Sequence, residues 1–105
     1  MEIIIKSGKE FDALINGDKL CVVDLFATWC GPCRMLAPTI DSVANKSNGN
    51  YLVAKVDVDD VEEVAIRYGV NTIPTILYIK NGMLLEKTIG LVKEEQILNT
   101  IEKHI

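Results

Sequence analysis

Leu20 to Phe26 is a run of seven residues in which only Asp24 is polar. A stretch that apolar needs cover on both sides, which is the position of a strand in the middle of a sheet with helices on both faces. The rest of the chain alternates in a way that supplies such cover. Ile3 to Ile5 reads as a short strand, and Ser7 with Glu10 has the spacing of a capping box opening a helix through Phe11, Leu14 and Ile15, closed by Gly17 and Asp18. From Pro32 to about Lys46 the period is helical, with Leu36, Ile40 and Val43 or Ala44 on one side, although Pro38 removes a backbone donor inside it. Tyr51 to Val56 predicts another strand. Asp59 or Asp60 then caps a short helix carrying Val61, Val64, Ala65 and Tyr68, with Gly69 as its stop.

Asn81-Gly82 between Thr75–Lys80 and Met83–Ile89 is a strong hairpin signal, so those two segments pair antiparallel. After Gly90 a last helix starts near Lys93, its apolar side formed by Ile97, Leu98, Ile101 and Ile105. The order βαβαβαββα predicts an α/β fold with a mixed sheet, parallel at first and antiparallel at its end. At 105 residues the chain fits one domain spanning residues 1–105. A chain of this size buries enough surface to stand without metals or several disulfides, which leaves its cysteines free for chemistry.

The net charge of −4 comes with no basic stripe, so neither nucleic acid nor an anionic membrane surface is an expected partner. The opening residues, Met1, Glu2 and three isoleucines, lack the positive start of a signal peptide, and no segment reaches membrane-spanning length. The expected location is cytoplasmic, and nothing in the sequence demands more than a monomer. In a reducing compartment a close cysteine pair is a redox or metal device more often than a structural bridge.

Cys30, Gly31, Pro32 and Cys33 form such a pair at the start of a helix. Unpaired amides and the positive end of the helix dipole favour the thiolate of Cys30, the nucleophilic form. Cys33, almost one turn further in, is expected to lie beneath it, shielded and suited to resolving a mixed disulfide. Pro32 suits the first helical turn and stiffens the link. Zinc is the alternative, but only Cys21 and His104 remain as further Cys or His ligands, and neither has ligand spacing.

Asp24 is costly to bury ionised, so inside its apolar run it should hold its proton to unusually high pH and could pass one to or from Cys33. A place at the strand's polar edge is the competing reading. Lys55 is the matching oddity in the next strand: it either partners Asp24 or extends to solvent. Trp29 is a partner contact or a core residue, and Cys21 a small buried hydrophobe. Pro74, after Ile73 and ahead of a strand, is compatible with a tight turn, although a cis bond there is the rarer isomer. The acids Asp57, Asp59, Asp60, Glu62 and Glu63 read as a solvated helix start with no site.

Trp-Cys-Gly-Pro-Cys at 29–33, Asp24 before it, Pro38 after it, Ile-Pro-Thr at 73–75, and Asn81, Gly82 and Gly90 together resemble the thioredoxin family over nearly the whole chain. The resemblance implies a thioredoxin fold, a central five-stranded mixed β-sheet flanked by four α-helices. It also implies a protein-disulfide reductase that carries electrons by thiol-disulfide exchange, binds no cofactor, acts on disulfide-containing proteins and is recycled by a thioredoxin reductase. The residue roles it implies are Cys30 as nucleophile, Cys33 as resolving thiol, Asp24 as proton acceptor for Cys33, Lys55 as modulator of Asp24, and Gly31 and Pro32 as redox-tuning residues. Trp29, Ile73, Pro74 and Gly90 would border a substrate-binding surface, with Pro74 cis and facing the disulfide. Phe26, Ala27, Arg34 and Val92 depart from the commonest family pattern, the last where a helix-capping serine is frequent. Similar folds also serve as oxidases or isomerases, and such a surface can clamp a partner without redox chemistry.

Overall fold

The computed structural model describes residues 2–105. Its elements follow the expected order: β1 (Ile3–Ile5), α1 (Gly8–Ile15), β2 (Leu20–Phe26), α2 (Gly31–Asn45), β3 (Tyr51–Asp57), α3 (Glu62–Arg67), β4 (Thr75–Lys80), β5 (Met83–Ile89) and α4 (Glu94–His104). The strands form one five-stranded sheet in the order β1-β3-β2-β4-β5. β1, β3 and β2 run parallel, and β4 and β5 are antiparallel to their neighbours. The apolar run of β2 therefore occupies the centre, and six of its seven residues are buried.

Side chains alternate across a strand, so the sheet divides its core in two. On one face Phe11 and Ile15 of α1 and Val64 of α3 pack on Cys21, Val23, Leu25, Leu77 and Ile79. On the other, Leu36, Ile40 and Val43 of α2 with Ile97 and Ile101 of α4 pack on Leu20, Val22, Val53, Ile76 and Tyr78. Each fully buried Leu, Ile or Phe contributes about 1.5–3 kcal/mol relative to an exposed one. Asp24 and Phe26 follow Leu20 and Val22 in the alternation and so face α2.

Local signals are met at most element ends. Ser7 caps α1, its hydroxyl accepting from the Glu10 amide at 3.1 Å, while the Glu10 carboxylate accepts from the Lys6 amide at 2.9 Å. Asn81 and Gly82 have φ of 54° and 77°, the left-handed pair that a two-residue hairpin turn requires. Gly69, at φ 64°, ends α3, and the amide of Val70 closes the helix onto the Ala65 carbonyl at 2.8 Å.

Two expectations are corrected. α3 is not capped by Asp59 or Asp60: Val61 holds the cap position without a side-chain bond, and Asp57 binds the turn before it, accepting the Asp59 amide at 2.9 Å. Ile105 does not join the apolar side of α4; it lies beyond the last helical residue and is exposed, while Thr100 is buried instead. α4 starts where expected: Lys93 is its cap, with the Gln96 side chain accepting the Lys93 amide at 2.9 Å, and Val92 packs against the core.

Candidate active site

β2 delivers the chain to the end of the sheet, and the turn after it ends in Cys30, the N-cap of α2. Cys30 has extended backbone, φ −88° and ψ 113°, and its amide is tied back to the Ala27 carbonyl at 3.2 Å. Its Sγ accepts the Cys33 amide at 3.2 Å, the bond that a serine or aspartate oxygen makes at other helix starts. Gly31 and Pro32 open the helix, where a missing proline donor costs nothing. The helix continues through Pro38 to Asn45. Cys30 and Cys33 are joined as a disulfide with their Cα atoms 5.2 Å apart, inside the usual range.

The two cysteines are covered almost equally. Cys30 is 5% exposed and Cys33 4%, against the expectation of an open outer thiol over a shielded inner one. The Ile73 carbonyl oxygen lies 3.9 Å from Cys30 Sγ, and Ile73 packs with Phe26 and Val58 against Ala27 and both cysteines. The Ile73–Pro74 bond is cis, the rarer isomer, as the family resemblance implied. Gly90 is held at the same place because its amide donates to the Pro74 carbonyl at 2.8 Å. Ile89 and Leu91 on either side of it are exposed.

Trp29 is 68% exposed, which decides between the core and surface readings. Its indole Nε1–H donates to Asp59 Oδ2 at 2.8 Å. Asp59 belongs to the acidic cluster to which no site had been assigned, and its link with Trp29 spans 30 residues of sequence, beyond the reach of any local pattern.

Beneath the disulfide, register brings the two charged oddities together: Asp24 of β2 lies opposite Lys55 of β3. Asp24 is 1% exposed, so it is buried mid-strand and not at a polar edge. Burial pushes its pKa up to about 6, with the Lys55 ammonium pulling the other way. The ammonium stands 4.0 Å from Asp24 Oδ2 and 4.7 Å from the centre of the Phe26 ring, while Asp24 Oδ1 has no partner among the described residues. A cavity of about 250 Å³ has Phe26, Ala27, Cys33, Ala37 and Lys55 in its wall, so the Lys55 side chain and Cys33 meet one solvent-accessible space.

Cys21 stands apart from all this. It is fully buried on the opposite face, its thiol donates to the Leu14 carbonyl at 3.5 Å, and burial pushes its pKa up to about 11. His104 pairs with Glu86 at 2.6 Å. No group of three or more His, Cys, Asp or Glu side chains gathers among the described residues to hold a metal ion, so the zinc alternative has no ligand set.

Comparison with known proteins agrees with this geometry. The sequence model of the family described as Thioredoxin matches residues 2–103. A mitochondrial thioredoxin of Mus musculus is 39% identical over 102 residues, covering 96% of this chain and 61% of its own length. Thioredoxin 2 of Chlorobaculum tepidum is 37% identical over 107 residues, covering 94% of this chain and 98% of its own. This chain thus spans less than two thirds of the mitochondrial relative and nearly the whole of the bacterial one. Among solved structures, a thioredoxin of Fasciola hepatica superposes with a TM-score of 0.89 at 37% identity, covering 98% of this chain and 99% of that one. With all five strands, the first three helices, all but the last residue of α4 and the cysteine pair inside the matched region, the chain belongs to the thioredoxin family.

Proposed function

We propose that the chain is a general protein-disulfide reductase whose working group is the Cys30–Cys33 pair. The observation that carries this reading is the cap geometry: Cys30 Sγ occupies the acceptor position at the start of α2, 3.2 Å from the Cys33 amide, and is already bonded to its partner thiol. In the reduced protein the same amide and the helix dipole favour a thiolate at Cys30.

That thiolate attacks one sulfur of a substrate disulfide, forming a mixed disulfide and releasing the other substrate sulfur as a thiolate that takes a proton. Cys33 then loses its proton to Asp24 and attacks Cys30 Sγ. The Cys30–Cys33 bond forms, the mixed disulfide breaks, and the second substrate thiol leaves. Two electrons pass to the substrate, and the protein is left in the oxidised form described here. Lys55 modulates Asp24 by favouring its anion, and Gly31 and Pro32 set the redox poise.

Substrate binding falls to the surface bordered by Trp29, Ile73, Pro74 and Gly90. It suits an extended segment that pairs with the Ile73 backbone and lays apolar side chains between Trp29 and Leu91. Disulfide-containing proteins are the substrates, and a thioredoxin reductase returns the pair to the dithiol. Residues 1–105 work as one monomeric domain in the cytoplasm, although the mouse relative is named mitochondrial.

Cys33→Ser tests the assignment: it should trap substrate proteins as mixed disulfides on Cys30, visible on non-reducing gels. Turnover of Cys33→Ser at the wild-type rate would overturn the two cysteine roles. Equilibration with glutathione separates a reductase from an oxidase or isomerase, a strongly reducing pair being the expected result.

A further inference from the structure

The face of the sheet beneath α2 carries one more acid than the proposed proton step uses. Ile4 of β1 lies opposite Lys55 of β3, which lies opposite Asp24 of β2, so these three residues share a row. Glu2, two positions before Ile4, points to the same face by strand alternation. That face is covered by α2, and Asp41 of this helix borders the same cavity as Glu2, close enough for its carboxyl to raise the Glu2 pKa. Glu2 Oε1 is buried and has no partner among the described residues. Two neighbouring carboxyls with no donor between them favour a proton on one of them. Both line a separate cavity of about 270 Å³ at the end of the sheet remote from the disulfide.

Lys55 therefore serves two acids. It sits between Asp24, at 4.0 Å, and the Glu2–Asp41 pair, and the fields of both Lys55 and Asp24 reach the Glu2 carboxyl. α1 packs on the other face, so the charged groups that bear on Glu2 are Asp41 of α2, Lys55 of β3 and Asp24 of β2.

We propose that Glu2 is a positioning residue for disulfide exchange, which competes with Asp24 for the Lys55 ammonium and so sets how strongly Asp24 holds the proton taken from Cys33. While Glu2 holds its proton, Lys55 is left to Asp24. When Glu2 ionises it adds negative charge beside Asp24 and draws Lys55 toward itself, and Asp24 becomes the stronger base. This rests on Asp24 being the acceptor for Cys33, so the test reads the coupling separately from the chemistry.

The side-chain carboxyl carbon of Asp24 is followed by NMR against pH in the full-length oxidised protein, where neither active-site cysteine titrates. Burial and the Asp41 carboxyl push the Glu2 pKa up to about 7. The Asp24 signal should accordingly show a second inflexion near that pH in the wild type and a single step in Glu2→Gln. Resolution of a preformed mixed disulfide should rise about twofold between pH 6.5 and 8 from this source and lose that increment in Glu2→Gln. Asp41→Asn removes the acid that holds the Glu2 proton and should move the second inflexion to lower pH. A loss of packing alone would not move an inflexion in opposite senses in two variants. Identical Asp24 titrations in wild type and Glu2→Gln overturn the proposal. An altered titration together with an unchanged resolution rate in Asp24→Asn overturns instead the acceptor role and leaves the coupling standing.

Discussion

The two faces of the sheet use the same strands for opposite ends. Toward α1 and α3, β2 presents Cys21, Val23 and Leu25, and nothing there is charged. Toward α2 and α4 the same strand presents Leu20, Val22 and then Asp24, with Lys55 of β3 beside it. Each face also has a cysteine close to it, Cys21 in mid-strand and Cys30 nine positions later at a helix start. Cys21 meets only two carbonyl oxygens, which cannot stabilise a thiolate, whereas Cys30 meets an amide and the end of a helix. Both residues are buried, but at Cys21 burial acts unopposed and pushes the thiol up, whereas at Cys30 the amide and the helix end oppose it by favouring the thiolate.

The widest gap between the faces should appear as thiol reactivity. In the reduced native protein, alkylation at pH 7 should label Cys30 at least about a thousandfold faster than Cys21, because a thiol held near 11 has almost no thiolate at that pH. Quench-flow labelling with peptide mapping measures both rates. Cys30→Ser should abolish disulfide reduction, and Cys21→Ala should leave it within about a factor of two. Comparable labelling of the two thiols would erase the contrast.

A smaller but still large effect belongs to Asp24. Its pKa is about 6 in the folded protein against 3.8 for the free side chain, so the folded state binds the extra proton between those values. Stability on this account is full below about pH 4 and falls as pH rises through 6, because the buried anion must then be tolerated. Asp24→Asn should therefore raise stability at pH 8 by about 2–3 kcal/mol, with the gain vanishing near pH 4, as read by denaturant melts across pH. The same variant should slow Cys33's attack at pH 7 by about tenfold or more, since the proposed proton acceptor is gone. A pH-independent stability difference would mean that Asp24 is already ionised where it lies.

Much of this was legible in residue order. The apolar run of Leu20–Phe26 has only one place in a sheet, whereas the pairing of Asp24 with Lys55 was one of two readings and is decided by the register of β2 on β3. Local chemistry also fixed the hairpin at Asn81-Gly82 and the stop at Gly69, since each depends on a few adjacent residues. What escaped was non-local or degenerate. Three aspartates stand before α3, any of which satisfies the composition of a cap, and the choice of Asp57 to brace the turn rests on loop geometry. The near-equal cover of Cys30 and Cys33 depends on Ile73, forty residues on, folding back over the pair. The bond between Trp29 and Asp59 is of the same kind: two loops at one end of the sheet, joined by neither periodicity nor spacing.

That last bond yields the smallest expected effect, and it bears on the active-site end of the sheet alone. Trp29 is the sole tryptophan, so its fluorescence reports on nothing else. An exposed indole held by one acceptor at 2.8 Å has one fixed orientation beside Cys30; without the acceptor it samples several, and the substrate must bear the entropy of choosing one. Asp59→Ala should therefore shorten the slow component of the fluorescence anisotropy decay and raise KM for a protein disulfide about two- to fivefold, with kcat changed by less than about a factor of two. Asp59→Asn keeps an acceptor oxygen and should recover most of both. Cys21 packs in the α1–α3 core, apart from this bond, and should stay as unreactive in Asp59→Ala as in the wild type. If KM and anisotropy stayed unchanged in Asp59→Ala, the orientation of Trp29 would owe nothing to Asp59, and the acids before α3 would return to being a solvated helix start.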